Sequence, residues 1–126
     1  MAFPGTYNFN YYKGDTFDFV IYPKDSAGNT FDLTGYSSLF TMSTTRGSEG
    51  VSNAIICDAT ISDDYSSILC RISAENGATL NASVAYVYDV EITKVVQENN
   101  LPVTYTYTLI NGTVSVKEQV SGATLG

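Results

Sequence analysis

Chemistry in this chain would have to come from its carboxylates. Asp89 and Glu91 stand two residues apart in "VAYVYDVEIT", so strand alternation places both on one face. Strand geometry separates them by about 7 Å, a distance that a pair of glycosidase carboxylates could use. Asp58, Asp63 and Asp64 gather around one predicted hairpin. Converging oxygens of that kind suit a hard cation such as calcium, although the EF-hand spacing is absent. Both groups have a plainer reading as the solvent side of a strand and as a hydrated turn. The chain contains no histidine, which removes the usual general base, the usual metal ligand and any Ser-His-Asp or Cys-His arrangement. It also lacks a Gly-rich phosphate loop and a GxSxG elbow. The expectation is a protein that is not an enzyme, with no catalytic, cofactor-binding or metal-binding residues.

Two cysteines complete the reactive inventory, in "NAIICDATI" and "SSILCRI". These segments read as strands flanking "SDDYSS". With Asp63-Asp64 as a two-residue turn, Cys57 falls opposite Cys70, on the face of Ala59, Ile61, Ile68 and Ile72. Buried, reduced thiols are the simplest reading; a disulfide requires that this register hold.

The elements that would carry these groups are strands. Tyr7, Phe9 and Tyr11 alternate with Asn8, Asn10 and Tyr12, and Phe17, Phe19 and Ile21 with Asp18 and Val20. Pro23 ends the second strand, and "KDSAGN" reads as a turn with Gly28 and Asn29 at positive φ. "FDLTG" is a short return, "YSSLFTMSTT" a strand closed by the loop "RGSEG", and "SAENGATL" one helical turn capped by Ser73 and stopped by Gly77. "VAYVYDVEIT" and "VTYTYTLI" alternate strictly around the turn "QENNLP". Asn111-Gly112 predicts a kink or bulge before "TVSVKEQV". About eight short strands with turn signals every 8–12 residues predict an all-β sandwich. The domain reading is an N-terminal strand or arm over 1–13, a sandwich over 14–120 and a loose tail over 121–126.

Bulk properties narrow the partners. A chain of 126 residues fits one domain. Its 6 basic and 13 acidic residues give a net charge of −7, against nucleic acid binding. No segment approaches the roughly 18–20 apolar residues of a membrane helix, and "MAFPGTYNF" has no secretory pattern. The protein thus reads as made in cytoplasm and used without membrane passage. Ten tyrosines stand out, because a large apolar ring with a polar tip suits interfaces as well as cores. The interface candidates are Phe3, Tyr7, Phe9, Tyr11, Tyr12, Tyr105 and Tyr107, with the N-terminal strand able to add to a neighbour's sheet. Aromatic faces also bind sugars, so a surface glycan is the rival partner; the absence of Trp weakens that reading.

The stretch "GDTFDFVIYPKDSAGNTFDLTG" has a GDT opening, an alternating strand, a D-x-x-G-N turn and a DLTG close. Together with "AYVYDVEIT" and "TYTLINGTVSV" it resembles the N-terminal module of phage baseplate upper proteins and related small virion proteins, over roughly Gly14 to Val120. The resemblance implies an immunoglobulin-like β-sandwich of about 7–9 antiparallel strands. It also implies a structural part of a tailed-phage virion that acts by assembly with other virion proteins, as a homo-oligomer or array. No coiled coil or receptor-binding head follows Val120, which points to a stand-alone accessory of tail, baseplate or neck, or a capsid decoration protein.

Overall fold

The computed structural model describes residues 4–44, 54–82 and 84–118. The loop expected at Arg46–Gly50, the tail over 121–126 and Phe3 lie outside them. The protein is all-β. Its strands are β1 (Gly5–Thr6), β2 (Phe9–Tyr12), β3 (Phe17–Ile21), β4 (Ser37–Ser43), β5 (Ile55–Ile61), β6 (Ile68–Ile72), β7 (Ala85–Glu98) and β8 (Leu101–Lys117). The helical turn α1 (Ala74–Gly77) precedes β7, and the Ser73 side chain accepts from the Asn76 amide as its cap.

These strands form a single sheet in the order β1-β8-β7-β4-β5-β6-β3, with β2 also on β8. The sheet curls because β5 divides its pairing. Ile55–Cys57 bond to β4, and Asp58–Ile61 bond to β6. Rings then close the two ends of the sheet against each other. Phe9 of β2 stacks on Phe17 of β3 at 4.6 Å between centroids, and Tyr7 meets Phe19 edge-on at 5.8 Å. Phe19, Phe40 and Tyr88 pack beneath them, with centroids 5.4–6.0 Å apart. Each such pair adds about 0.5–1.5 kcal/mol beyond the area that it buries. Leu33 and Leu80 enter the core from loops and are fully buried.

Four local expectations change. First, β1 and β2 run parallel to β8, while the remaining named pairs are antiparallel. A parallel pair needs a long crossover, and here the rest of the chain supplies it. The N-terminal segment thus fills a place in its own sheet. Second, Cys70 lies opposite Ala59 and not Cys57. The loop between β5 and β6 is wider than two residues: the Ser62 amide donates to the Ser67 carbonyl at 2.9 Å, and Tyr65 takes φ 58°. Asp64 organises it, accepting from the hydroxyls of Ser62 at 2.7 Å and Ser66 at 2.6 Å. The slip is two residues, so both thiols keep their inward face. Third, Gly28 has positive φ in its turn, and Asn29 does not share it. The Asp25 carboxylate instead braces that turn by accepting from the Ala27 and Asn29 amides.

The fourth change concerns β8. The expected bulge is present, but it lies upstream of Asn111-Gly112. Val90 pairs with Ile110 and Glu91 with Thr108, which leaves Leu109 as the extra residue of a bulge. That residue switches the inward positions from Tyr107 and Leu109 to Gly112, Val114 and Val116. Gly112 serves another need. The Tyr7 carbonyl would lie 2.1 Å from a Cβ there, and the same carbonyl accepts the Tyr88 hydroxyl at 2.5 Å. Asn8 Oδ1 accepts from the Thr113 amide at 2.9 Å, and the Tyr7 amide donates to Asn111. The break between β1 and β2 is therefore seated on a missing side chain.

Gly112→Ala is expected to lower the unfolding free energy by about 3 kcal/mol, the upper end for overpacking, because backbone and not a pliable side chain blocks the new methyl. Urea denaturation measures this, and a midpoint equal to that of the parent would refute the account.

Candidate functional site

The aromatic candidates divide by face. Phe9 and Tyr11 are core residues, 9% and 1% exposed, and are corrected from contact to packing. The curl of the sheet turns their side of β2 inward onto β3. Tyr11 donates its hydroxyl to the Asp15 carbonyl at 2.5 Å and fills the space above Gly77. Tyr107 is half-buried against Phe31 and Tyr36, with centroids 6.2 and 6.4 Å away. Tyr7 is exposed although its ring stacks on Phe9. Tyr12 and Tyr105 are exposed, and the Tyr105 hydroxyl donates to the Glu98 carboxylate. The candidates do not form one patch. Tyr12 lies at the end of β2, and Tyr105 lies along the β7–β8 hairpin.

The extension of the β7–β8 hairpin is the feature that the sequence concealed. β4 leaves β7 at the pair Ser37–Thr93, and β1 joins β8 only at Ile110. From Lys94–Tyr105 to Glu98–Leu101 the two long strands pair only with each other among the described residues. Asn99 and Asn100, with φ 52° and 66°, close it as a two-residue turn of the primed type. One face carries Lys94, Val96 and Glu98 beside Leu101, Val103 and Tyr105; the other carries Val95 and Gln97 beside Pro102 and Thr104. Val95 is 60% and Leu101 66% exposed. Lys94 folds back toward the base, its ammonium 5.2 Å from the centre of the Tyr36 ring.

The described carboxylates fall into separate groups. Asp89 and Glu91 share the outer face of β7, where their cross-strand neighbours are Thr41 and Asn111 for Asp89, and Leu39 and Thr108 for Glu91. Desolvation first, then the charge of Asp89, raises the Glu91 carboxyl above its ordinary range. Asp64 is held low by the hydroxyls of Ser66 and Ser62, which makes it a loop brace. Asp58 faces Arg71 across the strands, and Arg71 grips Asp18 with two bonds of 2.6 and 2.9 Å. That exposed pair contributes little stability. Among the described residues, no group of three or more Cys, Asp or Glu is placed to hold a metal. Both cysteines are free and buried, and burial pushes each thiol up to about 12. No family model matches the chain, and a search of curated proteins finds no significant relative.

Two expectations follow from these shifts. In the native protein at pH 8, iodoacetamide leaves both cysteines unmodified, whereas in 8 M urea it labels both; rapid native labelling by mass spectrometry would contradict the burial. Raising a thiol's folded value above its unfolded one also means that stability is lost as the pH climbs past about 9. For Glu91 the raised folded value makes ionisation unfavourable to the fold. Its cost is absent below the unfolded carboxylate value and complete above the folded one. Glu91→Gln should therefore raise the thermal midpoint at pH 7 and converge with the parent near pH 3; a lowered midpoint at pH 7 would show that the carboxylate is stabilising.

Proposed function

We propose that this chain is a non-enzymatic structural component of a tailed-phage virion, a tail, baseplate, neck or capsid-surface accessory that acts through protein–protein assembly. Its finer architecture in this reading is an immunoglobulin-like sandwich, the two ends of the curled sheet forming the facing layers. Support comes from the turn-and-strand motifs of Gly14–Gly35 and of the β7–β8 region. The observation that carries the assembly half is the projecting β7–β8 hairpin, which presents Val95 and Leu101 to solvent. Exposed apolar side chains on an extended element suit docking better than turnover. A glycan platform is less favoured, because the exposed tyrosines Tyr7, Tyr12, Tyr22, Tyr65 and Tyr105 are distributed over separate strands and loops.

Proteomic measurement of density-purified particles from the host that carries this gene tests the reading. The chain should co-purify at a fixed copy number per particle. Consistent absence from intact particles, with abundant free chain in the lysate, would defeat it.

A further inference from the structure

The two faces of the projecting hairpin are unlike. Val95, Gln97, Pro102 and Thr104 are exposed on one. On the other, Lys94, Val96 and Val103 are half-buried, although the pairing of β4 with β7 has already ended at Thr93. Side-chain contacts run along that second face. The Tyr105 hydroxyl donates to the Glu98 carboxylate across the Val96–Val103 pair that stands between them. Tyr105 lies opposite Lys94, and the Lys94 ammonium is 5.2 Å from the centre of the Tyr36 ring. Tyr36 in turn packs on Phe31 and Tyr107, with centroids 5.7 and 6.4 Å away. One line of contacts thus joins the region near the hairpin's tip to the loop over 31–36.

That loop is a fixed post. Leu33 is fully buried, its amide donates to the Tyr65 carbonyl at 3.0 Å, and the Phe31 amide donates to the Pro23 carbonyl at 2.9 Å. Gly35 makes room for the lysine stem: it holds φ 82°, and a Cβ there would lie 3.2 Å from Lys94 Cε. Two electrostatic effects report the same proximity. The Asp32 carboxyl is held below its ordinary range by the Thr34 hydroxyl and amide first, and further by the charge of Lys94. The Tyr105 hydroxyl is pushed up by Glu98 first, and less by Tyr107 and Tyr36.

We propose that Lys94 is a strap: its charge on the Tyr36 ring, together with the Tyr105–Glu98 bond, ties the β7–β8 hairpin to the 31–36 loop and fixes the direction in which it projects. A two-stranded ribbon is marginal on its own, and these five cross-strand pairs have no third strand beside them among the described residues. Without a tie, such a ribbon sways about its base. Lysine suits the task because its long apolar stem covers the face while the ammonium reaches the ring. The strap holds one face only, so the face bearing Val95 is kept outward. The inference goes beyond the assembly reading and needs no partner, since the strap is a property of the free chain.

Double electron–electron resonance on the full chain tests this, with spin labels on Gln97→Cys and Thr60→Cys. Both positions are exposed, and the native thiols are buried. The strapped chain should give one narrow distance distribution. Lys94→Met, which keeps the stem and removes the charge, should broaden it with an unchanged far-ultraviolet spectrum. Hydrogen exchange of the amides over 95–103 should quicken about threefold to tenfold, as loss of one cation–π contact implies, while those over 86–92 keep their rates. Lys94→Arg should restore both readouts, because a guanidinium also sits on a ring; a Lys94→Arg chain as loose as Lys94→Met would overturn the proposal. Tyr36→Leu should match Lys94→Met, and the two together should exchange no faster than the faster single variant. Additive loosening would show that lysine and ring act apart and would also overturn it. So would a broad distribution in the parent, or a narrow one in Lys94→Met. The virion reading fails separately, by absence of the chain from particles.

Discussion

Ring packing between the two ends of one sheet is the constraint on which the rest of this molecule depends. β2 and β3 are consecutive in sequence, joined by a turn in which Gly14 adopts φ 87° and the Asp15 amide donates to the Tyr12 carbonyl. They nevertheless occupy opposite ends of the strand order. What unites them is Phe9 on Phe17 and Tyr7 on Phe19, not a ladder of backbone bonds. Without that contact the sheet would open, and Phe40 and Tyr88 would lose the roof over their rings. Closure by side chains also explains the spread of aromatics along β2 and β3. They are the fastening, and the polar positions between them face water.

Much of this was legible in the residues, because period-2 alternation survives wherever a strand buries one face. β2, β3, β7 and β8 could all be read that way, and the Ser73 cap announced α1. What escaped was set by interactions that alternation does not encode. The β5–β6 register depends on Asp64 gathering serine hydroxyls into a wider loop, so Cys57 and Cys70 are offset by two. The bulge at Leu109 moves a switch of face upstream of the glycine that suggested it. Gly112 answers a need that alternation does not show: its missing side chain makes room for a carbonyl more than 100 residues away in sequence.

The contact candidates show the same division. A tyrosine in an alternating strand satisfies core and interface equally, and only the curl decides that Tyr11 points inward while Tyr12 points out. The hairpin extension was hidden for a different reason. Its length is the distance by which β7 and β8 outrun β4 and β1, a relation among four strands that no single segment displays. The outer faces offer hydroxyls, amides and separate carboxylates, and the thiols are sealed inside.

The parallel seat of β2 along Val114–Lys117 has a consequence for biosynthesis. β2 is made about 100 residues before the part of β8 on which it rests. At translation rates of about 5–20 residues per second, the Phe9 and Tyr11 rings wait roughly 5–20 s for their support. Through that interval the nascent chain can form its central hairpins but cannot shut its core. Closure therefore waits for the synthesis of β8, and the emerging chain must keep an aromatic strand out of trouble until Val114–Lys117 is made.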